Sequence, residues 1–272
     1  MHAILLQFGP VTLRSFGLLM ALGFAAAWYA AVRLARGTHR NADYLSALVV
    51  WMMLAGVAGA RLAYVAEHWR AEFAAHPSAI VRIDQGGLMF YGGVAGAALA
   101  LLLFARWRCE RPLDLADLML AVLPLGHALG RIGCFLNGCC HGRVSHGAMA
   151  VVFPARSPAW YAQCDAGLLS PDAAQALPVV PTQLFEAAAN LLLFALLFRL
   201  HRRASGRQPG LVTAAYLLVY PVIRFTIEPL RGDARMQIGI LSIGQVASIA
   251  LFAVGLLLAL GLRRPTPEGP RA

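Results

Sequence analysis

Lysine is missing from this 272-residue chain, so its 23 basic residues are all arginine. Charged residues make up only 13% against 59% hydrophobic, and the mean hydropathy is +0.65, which excludes an ordinary soluble globular domain. The formal charge of +10 comes from arginines gathered at the ends of apolar stretches, so it argues membrane orientation and not nucleic-acid binding. Internal repeats are lacking, which counts against an inverted-repeat transporter. No shift in composition marks off a second soluble domain. The first apolar stretch has neither a basic leader nor a small-residue cleavage site, and reads as a retained anchor.

What the chain does have is seven apolar stretches long enough to cross roughly 30 Å of hydrocarbon, near residues 12–34, 44–66, 86–106, 113–135, 182–200, 211–229 and 238–262. The expected fold is all-α: a polytopic membrane protein with seven transmembrane helices in one domain over 1–264, followed by a disordered cytoplasmic tail over 265–272. Arginines follow the first span (Arg33, Arg36, Arg40), the third (Arg106, Arg108, Arg111) and the fifth (Arg199, Arg202, Arg203, Arg207), and recur in the tail (Arg263, Arg264, Arg271). Placing these clusters in the cytoplasm gives an N-out, C-in topology. The 136–181 connection then faces outward. It is too long for a turn, and a small extracytoplasmic cap lying on the bilayer is expected there, with Trp69 and Trp160 suited to an interfacial belt.

Gly130-Arg131-Ile132-Gly133-Cys134-Phe135-Leu136-Asn137-Gly138-Cys139-Cys140-His141-Gly142-Arg143 departs most from an ordinary span. An arginine in hydrocarbon costs about 2.5–3.5 kcal/mol on insertion scales, and the glycines loosen the helix, so this segment is expected to line a polar cavity. Cys134, Cys139 and Cys140, beside His141 and His146, lack the paired C-x-x-C spacing of a zinc site, and no metal is expected. Two other readings of the cysteines stand: apolar filling of a tight turn, placed first, and a disulfide from Cys134 to Cys139 or Cys140.

In the sixth span Tyr220, Arg224, Glu228 and Arg231 are spaced i, i+4, i+8 and i+11 and share one helical face, with Pro221 and Pro229 interrupting the helix. An ion pair between Arg224 and Glu228 accounts for two of them. With Arg131 added, arginines outnumber carboxylates, which suggests an anionic ligand; the guanidinium fork suits phosphate. At the start of the fifth span, Gln183 and Glu186 serve either as capping and dipole groups or as partners of the membrane arginines. Arg61 and Tyr64 follow Gly56, Gly59 and Ala60; Arg61 either snorkels to the interface or serves the site. Glycine pairs at 86–87 and 92–93 bracket Tyr91 and permit close approach of a ligand or a helix.

These motifs, together with Leu241-Ser242-Ile243-Gly244-Gln245 and in this order, resemble the prolipoprotein diacylglyceryl transferase family over nearly the whole chain. The resemblance implies a bacterial inner-membrane enzyme with seven helices and no cofactor. Its substrates would be phosphatidylglycerol in the bilayer and the lipobox cysteine of a prolipoprotein signal peptide. A thioether forms and glycerol phosphate leaves. By resemblance Arg131 and Arg224 hold the departing phosphate, with Tyr91 and Glu228 as further catalytic candidates. Arg61, Tyr64, Asn137, Gly142, Gln183, Glu186 and Tyr220 are the substrate-binding candidates, alongside Arg131. Tyr91 stands where better-known members carry His, Cys134 and Cys139 where they carry Asn and Glu, and Phe16 where Tyr is usual. The thiol proton acceptor then falls to another group: Glu228, His141 or the lipid phosphate. A relative that binds anionic lipid without turnover, and a small transporter, are the alternative readings.

Overall fold

The computed structural model describes residues 4–8, 11–82, 86–204, 208–233 and 236–262. Seven of its helices are long and apolar enough to cross a membrane: α1 (Ser15–Leu34), α2 (Ala42–Glu67), α3 (Phe90–Trp107), α4 (Pro112–Asn137), α6 (Thr182–Ala204), α7 (Leu211–Ile227) and α8 (Ile243–Leu262). An eighth helix, α5 (Pro158–Asp165), is short. Leu192, Leu257, Trp107 and Leu103 are 74%, 69%, 69% and 61% exposed. Apolar faces on that scale suit lipid as solvent, and the helical backbone satisfies its own polar groups, so the protein is a polytopic membrane protein. The expected tail at 265–272, with Arg207, Arg263, Arg264 and Arg271, lies outside the described residues.

The helix starts differ from the expected spans in three places. Residues 11–14 form β2 (Val11–Arg14), paired antiparallel with β1 (Ile4–Phe8). Residues 86–89 precede α3 without being helical. Before α8, β3 (Gln237–Ile238) and β4 (Leu241–Ser242) form a minimal hairpin. Hydropathy alone read these pieces as span, because apolar strand residues score like helix residues. Pro221 does not interrupt α7 but lies inside it. The ring removes the hydrogen bond to the carbonyl four residues back, that of Leu217. At that point α8 comes close: a side chain on Gly255 would lie 3.0 Å from the Leu217 oxygen.

The chain divides into two compact units, residues 31–116 and residues 1–30 with 117–272. In the first, α2 and α3 pack through glycine. A side chain at Gly59 would strike the Gly92 carbonyl, so the two backbones touch directly. Arg61, 9% exposed, is buried rather than extended toward the surface. Its Nε donates to the Ile80 carbonyl (2.8 Å), Nη2 to Ala79 (2.7 Å), and Nη1 to Gly86 (2.9 Å) and Gly87 (3.1 Å). Tyr64 donates to the Glu72 carboxylate and stacks on His68. At the other end of this unit Glu110 accepts from Tyr44 and from Arg40 Nε (2.7 Å) and lies 3.0 Å from His39 Nε2. Burial would raise the Glu110 pKa, but these partners outweigh it and hold the carboxyl below its usual range.

In the second unit, α4 has the largest buried share of the seven spans, half of its most apolar window. Asp117 within it caps another helix: Oδ2 accepts from the Gly210 amide (2.8 Å), and Oδ1 from the Thr213 amide (2.7 Å) and hydroxyl (2.6 Å). This satisfies donors that the first turn of α7 leaves open. The 138–181 connection is folded on a core of Phe153, Ala159, Trp160, Ala176 and Val179. Trp160 belongs to that core, 7% exposed, with its indole donating to the Ala173 carbonyl (3.0 Å), which corrects its expected place in an interfacial belt. Trp69, 47% exposed, remains outside any core. Gln163 bridges both the amide and the carbonyl of Leu177.

Candidate active site

Glu186, one turn into α6 and 1% exposed, is the centre on which the polar groups of the second unit converge. Arg131 Nη2 of α4 lies 2.9 Å from Oε1, and His127 Nε2, one turn earlier, 3.4 Å from the same oxygen. On the other side Arg231 Nη1 is 3.9 Å and Arg224 Nη1 4.0 Å from Oε2. None of the guanidinium N–H groups points at these oxygens closely enough to be a hydrogen bond, so the cluster is held by charge. The Asn190 side chain, fully buried one turn further along α6, donates to the Glu186 carbonyl (2.8 Å).

Arg224 and Arg231 each also have a carboxylate of their own. Arg224 pairs with Glu228 one turn along the chain, and Ser242 donates to Glu228 Oε1 (2.7 Å). Arg231 makes a two-point contact with Asp233, at 2.9 and 2.8 Å. The expected excess of arginine over carboxylate is thus not met: three guanidinium groups share Glu186, Glu228 and Asp233. The feature that points to a ligand is narrower. Arg224 Nη1 and Gln183 Oε1 are buried and lack hydrogen-bond partners, which leaves a cationic donor and an acceptor open.

Tyr220, Arg224 and Glu228 share the expected face, because α7 stays helical through Pro221. Arg231 does not reach the cluster by helical periodicity. Glu228–Leu230 form a 3-10 turn around Pro229, and Arg231, itself extended, follows that turn with Nη1 3.9 Å from Glu186 Oε2. Tyr220 stacks on Tyr216, with its ring 5.5 Å from that of His127. Gly244 stands against the Arg224–Glu228 pair: a side chain there would meet Glu228 Oε1 at 2.9 Å and Arg224 Nη2 at 3.3 Å.

Beyond α4 the chain folds back along this cluster. The Gly142 amide donates to the Val180 carbonyl and the Arg143 amide to Leu230, both at 2.9 Å. A side chain at Gly142 would collide with both carbonyls, so its bareness lets three chain segments meet. Gln183 Nε2 donates to the Cys139 carbonyl (2.8 Å) and Thr182 Oγ1 to that of Cys140 (3.0 Å). No disulfide joins the five cysteines. Hydrogen bonds with Cys134 and Cys139, aided by Arg231, hold the Cys140 thiol below the usual thiol range against burial. Burial would lower the Arg231 pKa, but Asp233 and Cys140 raise it.

The structure therefore gathers Arg131, Glu186, Arg224 and Glu228, with Gln183, Tyr220 and Gly142 around them. Arg61, Tyr64 and Tyr91 belong to the other unit, where Tyr91 is 42% exposed near the start of α3. His127, Asn190, Ser242 and Asp233 were missed as site residues. His127 alone carried a signal, a histidine four residues before Arg131 inside an apolar span.

These features define a polytopic membrane protein with a buried, arginine-centred polar site. Residues 3–260 match the family model described as prolipoprotein diacylglyceryl transferase, and the chain belongs to that family. A protein of Trichormus variabilis named phosphatidylglycerol–prolipoprotein diacylglyceryl transferase is 35% identical, over 97% of this chain and 92% of its own. One of Caulobacter vibrioides with the same name is 35% identical over 98% and 93%. A Clostridium perfringens protein, named as number 2 of that transferase, is 32% identical over 95% and 94%.

Proposed function

We propose that this protein transfers the diacylglyceryl group of phosphatidylglycerol to the lipobox cysteine thiol of a prolipoprotein. The observation that carries the reading is the convergence of Arg131 and Arg224 on Glu186, with Arg224 Nη1 left without a hydrogen-bond partner. The thiolate attacks the glyceryl carbon attached to the phosphate oxygen, a C–S bond forms, and the C–O bond breaks. Its electron pair leaves on glycerol phosphate. Fixed guanidinium groups where that charge develops stabilise the transition state without reorganising.

Glu186 holds the two arginines in place before the phosphate arrives. Glu228, tied by Ser242, orients Arg224. His127 Nε2 lies 3.2 Å from Arg131 Nε and 3.4 Å from Glu186 Oε1, which makes this imidazole a further candidate for the thiol proton beside Glu228 and His141. An apolar groove of about 400 Å³ between α7 and α8, lined by Pro221, Val222, Phe225, Ile249 and Phe252, suits an acyl chain. Gln183, Tyr220, Asn137 and Gly142 shape the headgroup side. Tyr91 and Tyr64 keep their proposed part in substrate binding or turnover. Arg61, its donors occupied by four carbonyls, acts by fixing the loop that leads to Tyr91.

The arginine clusters after α1, α3 and α6 support an N-out, C-in orientation in the bacterial inner membrane, with the 136–181 segment as the outward cap. Purified protein incubated with phosphatidylglycerol and a lipobox peptide tests the reading by peptide mass. A gain of one diacylglyceryl group on cysteine is expected; bound lipid with an unmodified peptide would point to the lipid-binding relative instead.

A further inference from the structure

Three thiols that the transfer reaction does not use converge just past the end of α4. The sulfurs of Cys134, Cys139 and Cys140 all lie within 4.8 Å of one another, and none is in a disulfide. Spacing along the chain does not produce this arrangement. The backbone reverses through Gly138 at φ +80° and Cys140 at φ +58°, a left-handed conformation that costs a residue with a side chain roughly 1–2 kcal/mol. The surroundings hold that strained turn in place. The Gly138 and Cys139 amides donate to the Cys134 carbonyl at 2.9 and 3.1 Å, while Gln183 and Thr182 take the next two carbonyls.

Apolar filling of a turn does not account for the set. Cys134 is buried, but Cys139 and Cys140 are only partly so. A disulfide would use two sulfurs and leave the third unexplained. We propose that Cys134, Cys139 and Cys140 form a three-coordinate thiolate site for a soft d10 cation, Cu(I).

Three sulfurs bonded to one metal at about 2.3 Å in a trigonal plane stand about 4.0 Å apart, so a contraction of less than about 1 Å closes the site. Thiolate ligands favour Cu(I), and a structural zinc ion asks for a fourth ligand that this cluster does not supply. Binding forms three Cu–S bonds, releases to solvent the S–H protons that the cluster still carries, and changes no oxidation state. The guanidinium of Arg231, 2% exposed, offsets the resulting negative charge from beside Cys140. Loading would also lock the 139–140 peptides against Gln183 and Thr182. The site stands on its sulfur geometry and does not depend on the transferase reading.

The test is anaerobic titration of the reduced, full-length protein in detergent with Cu(I) against a chromophoric chelator, with X-ray absorption of the loaded sample. The expected result is one Cu(I) per chain with three sulfur ligands. The double variant Cys109→Ser/Cys164→Ser should retain it, while Cys139→Ser and Cys140→Ser, both partly exposed positions, should each weaken it at least tenfold. Failure to compete with the chelator, two-sulfur coordination, or undiminished binding by Cys139→Ser and Cys140→Ser would each overturn the assignment.

Discussion

Replacing Glu186 by Gln removes one negative charge and almost no volume, at the point where Arg131, Arg224 and Arg231 meet. At an effective dielectric of about 20, attraction across the 2.9 Å separation from Arg131 is about 6 kcal/mol, and across 3.9–4.0 Å about 4 kcal/mol for each of the others. Mutual repulsion of the arginines and the desolvation of Glu186 offset most of this. The net cost of removing one partner from a buried pair is about 3–5 kcal/mol. At about 2–4 °C per kcal/mol, Glu186→Gln should lower the thermal midpoint by roughly 6–20 °C. If even 2.7 kcal/mol of the loss falls on transition-state stabilisation, turnover drops about 100-fold. Intrinsic fluorescence on heating in detergent reads the first quantity and peptide lipidation the second, with Glu186→Asp expected between the two. A midpoint within about 2 °C of the native protein, together with unchanged turnover, would refute the account of Glu186 as the holding anion.

Three further outcomes follow from the same geometry. Glu110 has its pKa depressed on folding, so its contribution to stability is present above the unfolded value of about 4.3 and lost as pH falls through the folded one. The thermal midpoint should therefore fall on acidification below about pH 5, less steeply in Glu110→Gln; identical slopes would count against the Glu110 cluster. Gly244→Ala should displace Glu228 and cut transfer about tenfold while moving the thermal midpoint by only a few degrees, and full activity would deny that Glu228 orients Arg224. Asp117→Ala leaves the Gly210 and Thr213 amides buried without acceptors at a cost of about 2–4 kcal/mol, read as a large loss of thermal stability; a midpoint unchanged within error would remove the cap.

The seven spans were legible because lipid-facing helices carry apolar residues all round, which a window reads without knowing any contacts. The Tyr220–Arg224–Glu228 face was legible for an equally local reason, the i+4 repeat of a helix that continues through Pro221. Arg231 belonged to the same cluster, but its route depends on the 3-10 turn at Pro229. The partnership of Asp117 with the start of α7 joins residues 93 and 96 apart, and local pattern carries no trace of it. Trp160 was misread because a tryptophan in a long polar connection looks the same whether it meets lipid or a small core. The approach of the three sulfurs was hidden for another reason. It needs Cys140 in a backbone conformation that few side chains adopt, and spacing alone suggested an incomplete metal motif.

The most direct measurement of the central claim is diacylglyceryl transfer from labelled phosphatidylglycerol to a lipobox peptide by native, Arg131→Ala and Arg224→Ala protein, with thermal midpoints taken on the same samples. The account predicts transfer by the native protein and a loss of about 100-fold or more in each folded variant. Normal transfer by either variant would contradict it.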